Sequence, residues 1–155
     1  MNESVDPQAV VVAVKRILVP IDRSGYKEKI IAYAVSLGKA WGAEITAIHV
    51  IEPEHALSDG RAEAKKEARE EARRQTEHLL NEIDTLAKKE GLSIKKEALE
   101  ESDIVGKAII DYAKKNNIDV IVIGTKGMTA VQEYFFGSVA NKVIHHAHCP
   151  VIAIR

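Results

Sequence analysis

Val120-Ile121-Val122-Ile123-Gly124-Thr125-Lys126-Gly127, residues 120–127, decides the fold class. Four β-branched apolar residues follow one another with no polar alternation. Such a run reads as a central strand buried on both faces, the mark of a parallel sheet covered by helices. Arg16-Ile17-Leu18-Val19-Pro20-Ile21 reads the same way, and Glu44 to Ile51 gives a second strand. Leu92 to Leu99 alternates weakly and carries Lys95, Lys96 and Glu97, which suits a sheet edge. Val151 to Ile154 makes a last short strand.

Helical patterns separate these runs. Ile30, Ala34, Leu37 and Trp41 recur at helical spacing, with Ser24 as a candidate N-cap and Gly42 at the end. Arg61 to Glu90 is rich in Ala, Glu, Lys and Arg, with a thin stripe at Ala68, Ala72, Leu79, Ile83 and Leu86. It reads as a long helix, exposed in its first turns and closed by Gly91. Its charges alternate in sign, so a solvated face outweighs a nucleic-acid or membrane arm. Ile104, Val105, Ala108, Ile109 and Tyr112 form a third stripe, started near Ser102 or Asp103. Ser138 to Ala147 forms the last helix, with Val139, Val143 and Ile144 inward. Alternating strands and helices predict an α/β domain, a doubly wound five-stranded parallel sheet with helices on both faces.

Size and composition agree with one such domain over residues 15–155, preceded by a flexible leader over residues 1–14. The 155 residues are 46% hydrophobic and 29% charged, enough apolar material for a core. A net charge of −1 lacks the basic excess of a protein that coats nucleic acid. The single cysteine, Cys149, rules out an intrachain disulfide framework and Cys-based zinc fingers. Nothing in the chain calls for an oxidising compartment, and the longest early apolar run, Ala9 to Val14, is too short to span a bilayer. A cytoplasmic protein without membrane or nucleic-acid partners is expected.

In doubly wound sheets, ligands bind beyond the carboxyl ends of the strands, where the strand order reverses. Two connections there look specialised. One is Pro20-Ile21-Asp22-Arg23-Ser24-Gly25; the other runs from Gly124-Thr125-Lys126-Gly127, across nine residues, to Gly137-Ser138. Glycines let backbone N–H groups approach a ligand, and a helix start attracts anions. Gly124, Gly127 and Gly137 could form a nest for phosphates, with Ser138 as donor and Lys126 as cation, or they could simply make turns and a helix cap. Asp22 is either a ligand-holding carboxylate or a turn former. His145, His146, His148 and Cys149 crowd together, but successive helix positions diverge, so a helix end outweighs a metal site. No G-x-x-x-x-G-K-S/T loop, no G-x-G-x-x-G after the first strand and no nucleophile triad is present.

Gly124-x2-Gly127-x9-Gly137-Ser138 resembles the nucleotide-binding signature of the universal stress protein family. The resemblance extends through residues 17–24, His49-Val50, residues 123–127, residues 137–143 and residues 148–154. It implies an adenine nucleotide α-hydrolase-like fold and the ATP-binding type within the family. Asp22 and the Val50 backbone would then hold the adenine or ribose end. Gly127, Gly137, Ser138 and Val139 would hold the phosphates, with Pro20, Gly124 and Lys126 lining the site. Mg²⁺ or Mn²⁺ would be carried by the ATP phosphates, with no metal ligand from the protein. A homodimer through Val151–Ile154 and a regulatory protein partner are implied as well. One departure stands out: Gln132-Glu133-Tyr134 occupies a loop in which many relatives carry basic or small residues. A nucleotide-dependent stress-response module is the leading expectation, with no catalytic residue assigned. Slow ATP hydrolysis, nucleotidyl transfer, or a module binding another adenine ligand such as AMP or a cyclic nucleotide are the rivals.

Overall fold

The computed structural model describes residues 11–52, 61–99, 104–126 and 136–155. Nine elements follow in order: β1 (Arg16–Pro20), α1 (Lys27–Trp41), β2 (Glu44–Val50), α2 (Ala62–Lys89), β3 (Lys95–Leu99), α3 (Val105–Lys115), β4 (Val120–Gly124), α4 (Ser138–His146) and β5 (Val151–Ile154). The five strands form one parallel sheet in the order β3-β2-β1-β4-β5. The sequence expects this architecture, and the structure has it.

The sheet is buried on both faces. Ile17, Val19, Ile45, Ala47, Val120 and Val122 point to a cluster that includes Ile30, Ile31 and Ala34 of α1 and Leu79, Leu80 and Ile83 of α2. Leu18, Ile48, Val50, Ile121 and Ile123 point the other way, to Ile109 and Ala113 of α3 and Ala140 and Val143 of α4. Helices made before the strand order turns back therefore cover one face, and those made after it cover the other. Right-handed crossovers on a 3-2-1-4-5 sheet require that division.

At the carboxyl end, β1 and β4 part early. Their register runs only through Ile17↔Val120 and Leu18↔Ile121. Alternate residues of a strand aim their N–H groups at opposite neighbours. Ile21 donates to Ile48 O of β2 at 2.8 Å, so the next N–H toward β4 would be that of Pro20, which has none. The ladder stops there and leaves a crevice above the β1/β4 boundary.

Several boundaries and faces differ from the sequence expectations. Ser24 does not cap α1; the helix begins at Lys27 after Tyr26. The Asp22 carboxylate accepts the Ser24 N–H at 2.8 Å in a tight turn that holds the chain out of the helix for three more residues. The Ser24 hydroxyl is buried with no hydrogen-bond partner among the described residues. Trp41 lies outward, 42% exposed, because Gly38 takes the inward position. A Cβ on Gly38 would stand 2.8 Å from Ile45 Cδ1, so α1 is pressed onto β2 at a point without a side chain. Ile104 is likewise 47% exposed, with Gly106, Ile109 and Ala113 inward on α3. Ile144 faces outward on α4, where Ala140 and Val143 are buried. Pairing of the third strand starts at Lys95 rather than Leu92; Leu92 and Ile94 instead pack against the first cluster.

Helix ends follow the glycines. Gly42 and Gly91 take φ of 62° and 80°, a region that L side chains rarely occupy, and end α1 and α2. In α2 the buried residues are Thr76, Leu79, Leu80, Ile83 and Ala87, so its first turns do lie exposed as expected. Val11 and Val12 of the expected leader are exposed, and Val14 packs against the first cluster. Residues 1–10, the Pro53–Gly60 connection and the Ser102 or Asp103 helix start lie outside the described residues.

Candidate functional site

A cavity of about 530 Å³ opens above the β1/β4 boundary. Eight of the nine residues singled out in the sequence line it: Pro20, Asp22, Val50, Gly124, Lys126, Gly137, Ser138 and Val139. The ninth, Gly127, lies outside the described residues, as do Gln132, Glu133 and Tyr134. Four elements deliver these groups: the ends of β1, β2 and β4, and the start of α4.

The phosphate-nest idea takes a different form in the structure. Gly137 has φ −58° and ψ 156°, an ordinary extended conformation. Its N–H donates to Thr125 O at 2.8 Å, so that amide is already used. Thr125 is buried, and its own N–H donates to Ile154 O of β5 at 2.9 Å. Gly137 therefore fixes where α4 begins, and it lines the cavity. The open donors come next. Ser138, Val139 and Ala140 are the first three helical residues, and the intrahelical ladder begins with Asn141 N donating to Gly137 O at 2.9 Å. The N–H groups of a helix's first turn lack partners within the helix and carry its positive end. All three residues line the cavity.

Gly124 is glycine because of a close approach. A Cβ there would meet Ile30 Cδ1 at 2.6 Å. Lys126 follows it and holds its ammonium 5.9 Å from the centre of the Tyr26 ring, an exposed cation–π contact. Across the cavity, Asp22 is the turn former the sequence allows, one oxygen accepting the Ser24 N–H, and the residue lines the cavity. His49 places Nδ1 2.7 Å from Ile21 O. The carbonyl must accept, so Nδ1 carries the proton.

Charge in the cavity is divided. Lys126 and Lys142 stand on the β4–α4 side, with the α4 N-terminus; Asp22 and Glu52 stand on the β1–β2 side. Between them the wall is apolar, with Ile48, Val50, Ile109 and Ile123. Such a cavity fits a ligand with an anionic end, an apolar body and hydrogen-bond donors at the far end. Gly106 and Glu52 also line the cavity and belong to no signature; Thr125, His49 and Lys142 fall within longer segments of the family resemblance, which gives them no role of their own.

At the other end of α4, His145 and His146 are exposed with ring centroids 6.5 Å apart. Among the described residues no three His, Cys, Asp or Glu side chains converge as a metal site would require. Cys149 is half-buried, and burial chiefly, with Asp119 nearby, pushes its thiol pKa up, away from a reactive thiolate. Among the same residues no helix is long and apolar enough to cross a membrane.

Residues 13–155 match the family model described as the universal stress protein family. A universal stress protein of Methanocaldococcus jannaschii is 30% identical over 144 residues, covering 91% of this chain and 82% of that one. One from Bacillus subtilis is 30% identical over 154 residues, covering 90% and 98%. Among solved structures, a universal stress protein from Archaeoglobus fulgidus in complex with dAMP superposes with a TM-score of 0.65 at 26% identity, over 93% of this chain and 100% of that one. The fold is the adenine nucleotide α-hydrolase-like one.

Proposed function

The chain belongs to the universal stress protein family, and we propose that it binds ATP above the β1/β4 boundary as a nucleotide-dependent stress-response module. The observation that carries this reading is the polarity of the cavity. One pole has the N–H groups of Ser138, Val139 and Ala140, which have no partner within the helix, with Lys126; the other has Asp22 beside the end of β2; apolar side chains lie between. The positive pole suits phosphates, which bind well at helix N-termini. The Asp22 carboxylate, acceptor only, suits the amino group of adenine or a ribose hydroxyl. Backbone groups of Val50, at the end of β2, would complete the adenine end. Gly137 would leave room for the phosphates, and Gly127 would join them from the loop.

A Mg²⁺ or Mn²⁺ would ride on the phosphates and offset their charge, since the acidic groups of the cavity stand at the opposite pole. The relative from Archaeoglobus fulgidus, with its bound dAMP, supports an adenine nucleotide as the ligand class.

A second copy of the chain would pair along β5. In β5 the carbonyls of Pro150 and Ile154 accept from β4, so residues 150, 152 and 154 face inward and Ala153 aims its N–H at the free edge. Ala153→Pro removes that outward donor and leaves the β4 ladder intact. It is expected to convert a dimer to a monomer in sedimentation experiments without loss of fold; a dimer that survives it would place the interface elsewhere.

The direct test is mass spectrometry of nucleotide released on denaturing freshly purified protein, with calorimetric titration of ATP plus Mg²⁺. Released ATP, or micromolar binding, is the expected result. Binding of AMP with ATP much weaker would reassign the ligand to a shorter nucleotide. No binding of any adenine nucleotide would overturn the reading.

A further inference from the structure

We infer that Lys142 is a second cation of the phosphate pole, that Gly106 is its seat, and that the pair sets a preference for the longer phosphate chain. The inference rests on the nucleotide reading above and goes one residue further. Lys142 stands one helical turn after Ser138 on α4. Helical side chains lean toward the N-terminus of their helix, over the residues three and four positions back. Lys142 therefore leans over the turn that holds Ser138 and Val139.

Its path is fixed by α3. Gly106 is buried in the first turn of α3, and a Cβ on it would stand 2.9 Å from Lys142 Cδ, 3.0 Å from Cβ and 3.1 Å from Cγ. The lysine stem thus lies in the space that any other residue at 106 would fill. Both residues line the cavity. A long aliphatic stem laid on an apolar surface, with the charged head left for solvent, is the usual way a lysine is held. Lys126 differs, because its ammonium is engaged with the Tyr26 ring. Among the described residues no carboxylate pairs with Lys142, so its charge stays available to an anion. A nucleoside lacks the group this charge would meet, a monophosphate offers one anionic group, and a triphosphate extends furthest into the positive pole.

The experiment compares calorimetric affinities of Mg²⁺-ATP, AMP and adenosine for the wild-type protein, Lys142→Met, Lys142→Arg and Gly106→Ala. Lys142→Met keeps an unbranched stem and removes the charge. It should lower the ratio of ATP to adenosine affinity about five-fold or more, leave adenosine binding unchanged, and reduce the salt dependence of ATP binding. Lys142→Arg should keep the ratio. Gly106→Ala should lower it by displacing the stem, and if that variant fails to fold, Lys142→Met still decides. An unchanged ratio in Lys142→Met overturns the role of Lys142 while leaving the nucleotide reading standing. A folded Gly106→Ala with wild-type affinities overturns the seating. A wild-type protein that binds none of the three overturns both readings together.

Discussion

The two rims of the sheet treat charge in opposite ways. At the amino-terminal rim, Asp119 accepts the backbone N–H groups of Lys15 and Arg16, each at 2.8 Å, and the Arg16 side chain donates to Asn117 O at 2.9 Å. The carboxylate is used within the fold, and the bond from Lys15 N–H is the foremost reason its pKa is lowered. At the carboxyl-terminal rim the first N–H groups of α4 and the head of Lys142 have no such partners among the described residues. The same parallel sheet is closed at one end and open at the other. Pro20 ends the β1–β4 ladder only on the open side, so the asymmetry begins in the strand itself.

Changes at the open rim should act on binding and those at the closed rim on stability. Gly137→Val is the strongest test. Its backbone angles suit valine, so circular dichroism should stay native, while the side chain enters the mouth of the cavity and ATP affinity should fall about 100-fold or more. Unchanged affinity would move the phosphates away from α4. At the closed rim, Asp119→Ala hands two exposed N–H groups to water and should cost about 1 kcal/mol in urea denaturation at pH 7, with nucleotide binding intact. Because the native state lowers the pKa of Asp119, its contribution is present above the unfolded value of about 3.9 and is lost as pH falls through the native value. The gap between wild type and Asp119→Ala should therefore narrow as pH falls below about 3.9; a gap that stays constant through acid unfolding would mean the carboxylate acts by packing alone.

Gly124→Ala tests the seam between the rims. It should destabilise by about 1 kcal/mol as Ile30 is pushed aside, and Ile30→Val, which removes Cδ1, should recover part of that in the double variant. Additive losses would show that Ile30 is not the obstacle. The smallest effect is expected at the exposed pair of Lys95 with Glu44, 2.7 Å apart at the β3 edge: Lys95→Ala should shift stability by less than about 0.5 kcal/mol. A larger loss would mean that this edge depends on its charges.

What the sequence reveals of this molecule is what side chains announce. The five strands are legible because Val120 to Ile123 and Ile17 to Val19 have no polar alternation, and the helices because Leu79, Ile83 and Ile109 recur at their period. What it conceals are contacts made where no side chain exists. Gly38 and Gly106 contribute nothing to a hydrophobic pattern, yet a Cβ on either would run into a neighbouring side chain, Ile45 or Lys142. The apolar pattern therefore expects Trp41 inward and gives Lys142 no role. Ser24 looked like a cap because capping preference ignores a carboxylate two residues earlier that takes the same turn's N–H. The cavity-lining residues are legible where they sit in the glycine signature and the β1 turn; Glu52 lies outside any motif, and Lys142 lies in a matching segment that gives it no role.

The length of α2 has a consequence in time rather than in space. Its 28 residues extend about 42 Å, whereas the seven residues of β2 extend about 23 Å. All five of its buried residues fall between Thr76 and Ala87. A segment as short as residues 62–75 is marginal as an isolated helix in water, so it stays helical mainly by continuing one already anchored. Amide hydrogens along this single element should consequently exchange on two clocks, the later half near the rate of global unfolding and the earlier half much faster, with the step near Thr76.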